Sequence, residues 1–482
     1  MNLSNREKLP YGLNWPGKSN AIESITVPAN STFILDTKNS LQPEKSANLA
    51  IEGDNLEAMK LLLPSFREKI KLIYIDPPYN TGNDFIYKDN FVESTSDYKK
   101  TSLKEKFDIE QAVNTFSDVR TTKKRSCSEN IQKKEDVFQE IAQSQLLRGN
   151  ELSGRFHSKW LNMIYPRLFL AKFFLTEDGV MLISIGDSEI GNLLLVCNEI
   201  FGEENVELMI WNKVGDGDAG AGRMKITRRF RKEHEFILCC YKNRDTVRFN
   251  KTLEMPNFKN KYRNADNDPR GAYKAGNISK VESKSNPDGK NFYEVISPKG
   301  RKIHRQWHFS KEEFDRLDNE KRIYWGKDGN AIPQLKIFLN EPRPMTPVSI
   351  LLNKGSATTG NKELRRLFGK VVFENSKPIE LMKYLIEIST EKDSVILDFF
   401  AGSFSTAHAV LGMNKQDGGS RKFIMIQVPE PCRSNSRAFH PEFQTVFDIG
   451  IARLKRVIEN QSRKFPTNLP TPGFQLLRLK SI

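Results

Sequence analysis

At 482 residues the chain is long enough for about three average domains, or for one large domain carrying insertions. Hydrophobic residues make up 38% and charged residues 28%, a balance that excludes a wholly disordered chain. The formal net charge of +15 and the pI near 9.3 favour a polyanionic partner, although charge alone does not single out nucleic acid.

Residues 1–47 are polar and broken by Pro10, Pro16, Pro28 and Pro43, which predicts an arm with little regular structure. Leu49 to Glu52 reads as a short strand, and Asp54 to Leu63 as a helix capped by Asp54 or Asn55. Lys71 to Ile75 (KLIYI) is a buried strand running straight into Asp76-Pro77-Pro78-Tyr79. Residues 92–150 are rich in Lys, Glu, Ser, Thr and Gln and read as a polar insertion. Apolar residues recur at helical spacing from Trp160 to Leu175. Gly179 to Ile185 is then a buried strand, Ile190 to Ile200 a helix, and Glu207 to Trp211 and Glu235 to Tyr241 two more strands. Between those two strands Gly215 to Gly220 is followed by Arg223, Lys225, Arg228, Arg229, Arg231 and Lys232. This basic loop suits either a phosphate backbone or plain solvent.

Residues 251–370 are Asn- and Lys-rich, punctuated by Pro and Gly, with scattered aromatics at Tyr262, Tyr273, Phe292, Tyr293, Trp307 and Trp325. They read as a module inserted between two parts of an α/β domain, 48–250 and 371–482. In the latter, Pro378 to Ile388 predicts a helix, Ser394 to Phe399 a buried strand, Thr406 to Leu411 a helix and Lys422 to Val428 a strand. Alternating strands and helices at both ends imply a largely parallel, doubly wound sheet. The five cysteines include no CxxC pair and read as reduced thiols of a cytoplasmic protein; no metal site is expected. Neither an apolar leader nor a membrane-length apolar run is present, so no membrane association is expected.

The sharpest chemical signal is DPPY after a buried strand. An exocyclic adenine amine is a poor nucleophile because its lone pair is delocalised into the ring. Two acceptors at a strand end, the Asp76 carboxylate and the Pro77 carbonyl, would take both N–H bonds and localise that pair. Pro77 and Pro78 stiffen the turn, and the Tyr79 ring offers a stacking face to a base rotated out of a duplex. The bland alternative is an ordinary Asp-Pro turn, which the apolar strand and the full tetrapeptide disfavour. A second constellation, Asp398-Phe399-Phe400-Ala401-Gly402-Ser403, marks a strand-to-helix turn whose small residues let backbone amides approach a ligand.

Together these motifs resemble the β-class amino-methyltransferases of restriction-modification systems, and more specifically the modification (Mod) subunits of type III systems. The resemblance extends through Trp15 to Lys18, Ile51 to Leu56, Asp76 to Phe85 and Ser153 to His157. It continues through Trp160 to Leu168, Asn267 to Gly271 and Asp398 to Val410. It implies a Rossmann-like sheet that binds S-adenosylmethionine, with residues 251–370 as an inserted target-recognition domain. It implies adenine-N6 methylation of double-stranded DNA at Asp76, Pro77, Pro78 and Tyr79. Asp398, Phe399, Phe400, Gly402 and Ser403 match the cofactor turn, and Gln427 the place of an acidic ribose-gripping residue. Lys377 would pair with the methionine carboxylate, while Asp54 and Asn55 would lie near the cofactor's adenine. A homodimer and a separate helicase-nuclease restriction subunit are the implied partners, since the sequence has no Walker A pattern.

Asp76 favours adenine over the cytosine-N4 alternative, whose enzymes more often carry Ser there, and it disfavours glutamine methylation. The family usually reads AGSGTT or AGSATT where this chain has Ala401-Gly402-Ser403-Phe404-Ser405-Thr406. Phe404 either intrudes on the cofactor, which would leave a DNA-binding specificity subunit with weakened catalysis, or turns into the core.

Overall fold

The computed structural model describes residues 12–82, 91, 154–214, 230–255, 261–436, 439–462 and 472–482. The polar insertion at 92–150 lies outside these residues, as do Cys127 and most of the basic loop between Gly215 and Arg229. Contacts divide the chain into two compact units, one of residues 1–250 with 348–482 and one of residues 251–347.

In chain order the first unit contains α1 (Lys18–Thr26), β1 (Ser31–Leu35), β2 (Leu49–Glu52), α2 (Asn55–Phe66) and β3 (Ile70–Ile75). A helix over residues 154–174, α3, leads into β4 (Leu175–Ile185), α4 (Ile190–Phe201), β5 (Val206–Asn212) and β6 (His234–Tyr241). The second unit follows with β7 (Thr252–Glu254), β8 (Tyr273–Asn277), β9 (Phe292–Ile296), β10 (Lys302–Gln306), α5 (Lys311–Asn319), β11 (Ile323–Tyr324), β12 (Gln334–Phe338) and β13 (Arg343–Met345). The first unit resumes with β14 (Ile350–Leu351), α6 (Ala357–Phe368), α7 (Ile379–Ser389), β15 (Val395–Asp398), α8 (Ser405–Asp417), β16 (Lys422–Gln427), α9 (Val446–Ser462) and β17 (Gln475–Ser481).

Ten strands form one sheet in the order β1-β17-β2-β16-β15-β3-β4-β6-β5-β14. From β17 to β4 every pairing is parallel. β6 then runs antiparallel to both β4 and β5. The side-chain period of two explains how the strands serve both faces. Leu72 and Tyr74 of β3 join a core with α7, α8 and α9, while Ile73 and Ile75 join another with α2, α3 and α4. Strand β3 is buried at all six positions, as a central strand covered on both faces requires.

Two features depart from the sequence reading. The N-terminal arm carries regular structure: α1 starts just after Gly17, and β1 pairs antiparallel with β17 as the edge of the sheet. That pairing joins residues more than 400 positions apart, so no local pattern announces it. The inserted unit ends at Pro347 instead of near 370, because β14 pairs with β5 and α6 packs on the first unit. Within the inserted unit, Trp307, Phe314, Trp325, Ile278 and Val295 form a small core over α5. The aromatics scattered in its sequence are therefore largely structural.

Candidate active site

In an open α/β sheet ligands bind beyond the carboxyl ends of the parallel strands. Strands β3 and β15 are neighbours there, so Asp76 and Asp398 stand at adjacent strand ends although they lie far apart in sequence. A cavity of about 250 Å³ opens at this edge, and ten of the residues predicted from the sequence line it: Asp54, Asn55, Asp76, Pro78, Lys377, Asp398, Phe400, Gly402, Ser403 and Gln427. Phe399 instead packs fully buried in the core, and only its carbonyl reaches the site, accepting from Asn55 Nδ2 at 2.6 Å.

The acceptor side is built around Asp76. Lys377 Nζ donates to both Asp76 oxygens at 2.8 Å and to the Tyr79 hydroxyl at 3.0 Å, and lies 3.4 Å from Glu235 Oε2. Tyr79 Oη donates in turn to Glu235 Oε2 at 2.9 Å. Burial pushes the Asp76 carboxyl above its ordinary range, and the Lys377 cation works against that rise. Burial also acts to raise Glu235, but Lys377 and Lys213 outweigh it and hold Glu235 below the usual carboxylate range. Lys377 itself is buried, yet the two carboxylates keep it firmly charged. Lys377, expected at a methionine carboxylate, is engaged here by Asp76, Tyr79 and Glu235.

The backbone of the tetrapeptide is fixed from behind. Trp160 Nε1 donates to the Pro78 carbonyl at 2.7 Å. Asn80 adopts a left-handed conformation (φ 54°), and its Nδ2 donates to Glu189 Oε1 and to the Phe156 carbonyl. Gly186 packs so closely on Tyr79 that an added Cβ would fall 2.9 Å from the ring, so the ring's seat requires glycine.

The turn after β15 is neutral by comparison. Asp398 accepts from the Phe400 N–H at 3.1 Å and from the Thr406 hydroxyl at 2.5 Å, and burial pushes its carboxyl up to about 7. Gln427 does not present a free carbonyl towards a ribose. Its Oε1 accepts from the Gly402 N–H at 2.8 Å and its Nε2 donates to the Val428 carbonyl, so it ties the turn to β16. Glu430, three residues further on, lines the cavity instead. At the other rim Asp54 caps α2 by accepting from the Glu57 N–H at 3.0 Å, while Arg167 of α3 bonds both Asp54 and Asn55.

Phe404 turns into the core. It is completely buried, sits edge-on to Phe447 of α9, and is absent from the cavity lining. It caps α8 in a left-handed conformation (φ 60°), a strained choice for a bulky residue that the family's glycine avoids. The ring finds room because α9 carries Gly450 opposite it, where a Cβ would come within 2.5 Å of the ring. The ground for expecting an obstructed cofactor turn therefore falls away.

Sequence reasoning missed Glu235, Glu430 and Arg167. Glu235 had a visible signal, a carboxylate opening the otherwise apolar strand EFILCCY; the other two carried none that separates them from surface charges.

A parallel sheet that sets a glycine turn beside a DPPY loop defines a methyltransferase of the S-adenosylmethionine-dependent class. The cavity lining fits that cofactor chemically: carboxylates and amides for ribose and base, apolar Met163 and Val428, and three serine hydroxyls for a charged amino-acid end. A family model described as DNA methylase matches residues 70–431. The Mod subunit of the type III restriction-modification enzyme StyLTI from Salmonella typhimurium is 29% identical over 97% of this chain and 66% of its own length. The EcoP15I Mod subunit from Escherichia coli is 30% identical over 97% of this chain and 72% of its own, and the EcoPI Mod subunit of Escherichia phage P1 is 30% identical over 98% and 71%. The chain belongs to the DNA methylase family of N6 and N4 amino-methyltransferases. It spans about two thirds of the length of these Mod relatives.

Proposed function

We propose that this chain is the modification subunit of a type III-like system and transfers a methyl group from S-adenosylmethionine to N6 of an adenine in double-stranded DNA. The observation that carries the reading is the Asp76 carboxylate, placed at the cavity edge one strand away from the glycine turn. When bound, the cofactor supplies an electrophilic methyl group. Asp76 and the Pro77 carbonyl accept the two N–H bonds of the amine and localise its lone pair towards that methyl. The Lys377 cation opposes the rise that burial gives the Asp76 carboxyl, and yields one carboxylate oxygen to the incoming amine. Tyr79, seated on Gly186 and tethered to Glu235, stacks on the base once it leaves the duplex, which offsets an unstacking cost of a few kcal/mol.

The unit over residues 251–347, in which Lys and Arg outnumber Asp and Glu, serves as the target-recognition module. A second copy of the chain and a helicase-nuclease restriction subunit are the partners this reading implies. No helix among the described residues is long and apolar enough to cross a membrane, and the four described cysteines are free thiols. The test is incubation with methyl-labelled S-adenosylmethionine and mixed-sequence duplex DNA. Label is expected in DNA; firm DNA binding with no label transferred would overturn the assignment.

A further inference from the structure

With Lys377 committed to Asp76, the cofactor's carboxylate needs another counter-charge. Arg453, on α9, is 1% exposed, and among the described residues no carboxylate lies within ion-pairing distance of it. A buried guanidinium without an anion is costly, and such a group persists where an anion arrives or where polar partners surround it. Arg453 Nη1 faces Ser405 Oγ at 2.9 Å, Ser403 Oγ at 3.0 Å, and Ser376 Oγ and the Ser403 carbonyl at 3.2 Å. Its Nε donates to His408 Nδ1 at 3.3 Å, and burial beside this cation pushes the imidazole down to about 3, so His408 stays neutral and adds no charge. Nη2 is buried with no hydrogen-bond partner among the described residues. Glu363 acts on the cation only at longer range.

The three hydroxyls lie within 3.1 to 3.5 Å of one another, and all three serines line the cavity. A hydroxyl that accepts from Arg453 still carries its own O–H, which it shares with a neighbouring serine here and can turn towards an arriving anion. The result is a donor triad backed by a buried positive charge. Its position is over-determined. Gly360 packs against the Ser376 carbonyl, where a Cβ would fall 1.9 Å away, and Gly450, one turn before Arg453, packs on the Phe404 ring that precedes Ser405.

We propose that Arg453, acting through the hydroxyls of Ser376, Ser403 and Ser405, forms the seat of the α-carboxylate of S-adenosylmethionine. This inference rests on the cofactor assignment made above. Arg453 is a positioning residue and the serines make the contact.

Calorimetric binding of S-adenosylmethionine and of its decarboxylated analogue to the full chain tests this without relying on turnover. The wild type is expected to prefer the carboxylated form by about 30-fold, the scale of a hydrogen bond to a charged group. Arg453→Met, and the milder Ser403→Ala with Ser405→Ala, should bring that ratio close to one, with the loss falling mainly on the carboxylated form. The serine pair keeps the test valid if loss of Arg453 impairs folding. A folded variant that keeps the full preference would overturn the proposal, as would a wild type that binds both forms equally. A wild type that binds neither form would instead overturn the cofactor assignment itself.

Discussion

The two halves of the site stand on neighbouring strands and are built on opposite principles. At the end of β3, Asp76, Glu235 and Lys377 crowd two carboxylates and one ammonium into a buried space, with Tyr79 hydrogen-bonded between them. At the end of β15, Asp398 holds a turn through one N–H and one hydroxyl, with its own carboxyl pushed up to about 7. The contrast follows from what each half must do. An acceptor for an amine works best as a carboxylate, so it is paired with a lysine whose ammonium spans both of its oxygens. A turn that presents backbone amides to a cofactor has only to hold its shape, and a short neutral network does that at less electrostatic cost.

The comparison is broken most severely at Asp76. Asp76→Ala is expected to lower methyl transfer by at least about 10³-fold in single-turnover assays, with cofactor affinity changed little. Turnover close to wild type in that variant would place the chemistry elsewhere. Lys377→Met should cost about 10²-fold in rate and, by leaving the partly buried Asp76 without its cation while Glu235 keeps Lys213, about 2 kcal/mol of stability in chemical denaturation. It also carries a signature in pH. Without the lysine the Asp76 carboxyl rises further, so the acid limb of the rate profile should move to higher pH; an unmoved limb would show that Lys377 does not tune Asp76.

The turn makes a quieter prediction. Because burial raises Asp398, the folded chain keeps a proton that the unfolded chain releases near 3.8. Between that value and about 7 the native state binds the extra proton, so this group's contribution to stability falls as pH rises through the window. The loss amounts to about 4 kcal/mol at most. Asp398→Asn should flatten the decline, as read from unfolding midpoints at pH 5 and pH 8, and an equally steep decline in the variant would remove Asp398 as its source. The smallest effect on ligand binding is expected at Phe404. Phe404→Gly should leave cofactor affinity within about twofold, while emptying a core site at about 2 kcal/mol net, the lost packing exceeding the relief of the left-handed backbone. A clear change in affinity would mean that the ring does bear on the cofactor.

How much of this was legible in the sequence divides along the same line. The strand leading into DPPY, the glycine turn and most of the parallel alternation could be read because each is a contiguous pattern of burial and turn chemistry. Asp54 as the cap of α2 was legible for the same reason. The partners of Asp76 were not, since Lys377 and Glu235 arrive from other strands and loops, and only the sheet order brings their charges together. Gln427 bonds the Gly402 N–H and the Val428 carbonyl, a tie that sequence cannot foresee because a side-chain amide holding its neighbour's backbone looks there like one aimed at a ligand. Phe404 could not be settled by sequence, since its room is made by Gly450, a residue on another helix.

The central claim, that the β3 half orients an adenine amine, is tested most directly by the product. DNA methylated by the wild-type chain should be digested to nucleosides and resolved by mass spectrometry. The account predicts N6-methyladenine as the modified nucleoside, absent when Asp76→Ala is used. N4-methylcytosine in its place, or N6-methyladenine still formed by the Asp76 variant, would contradict it.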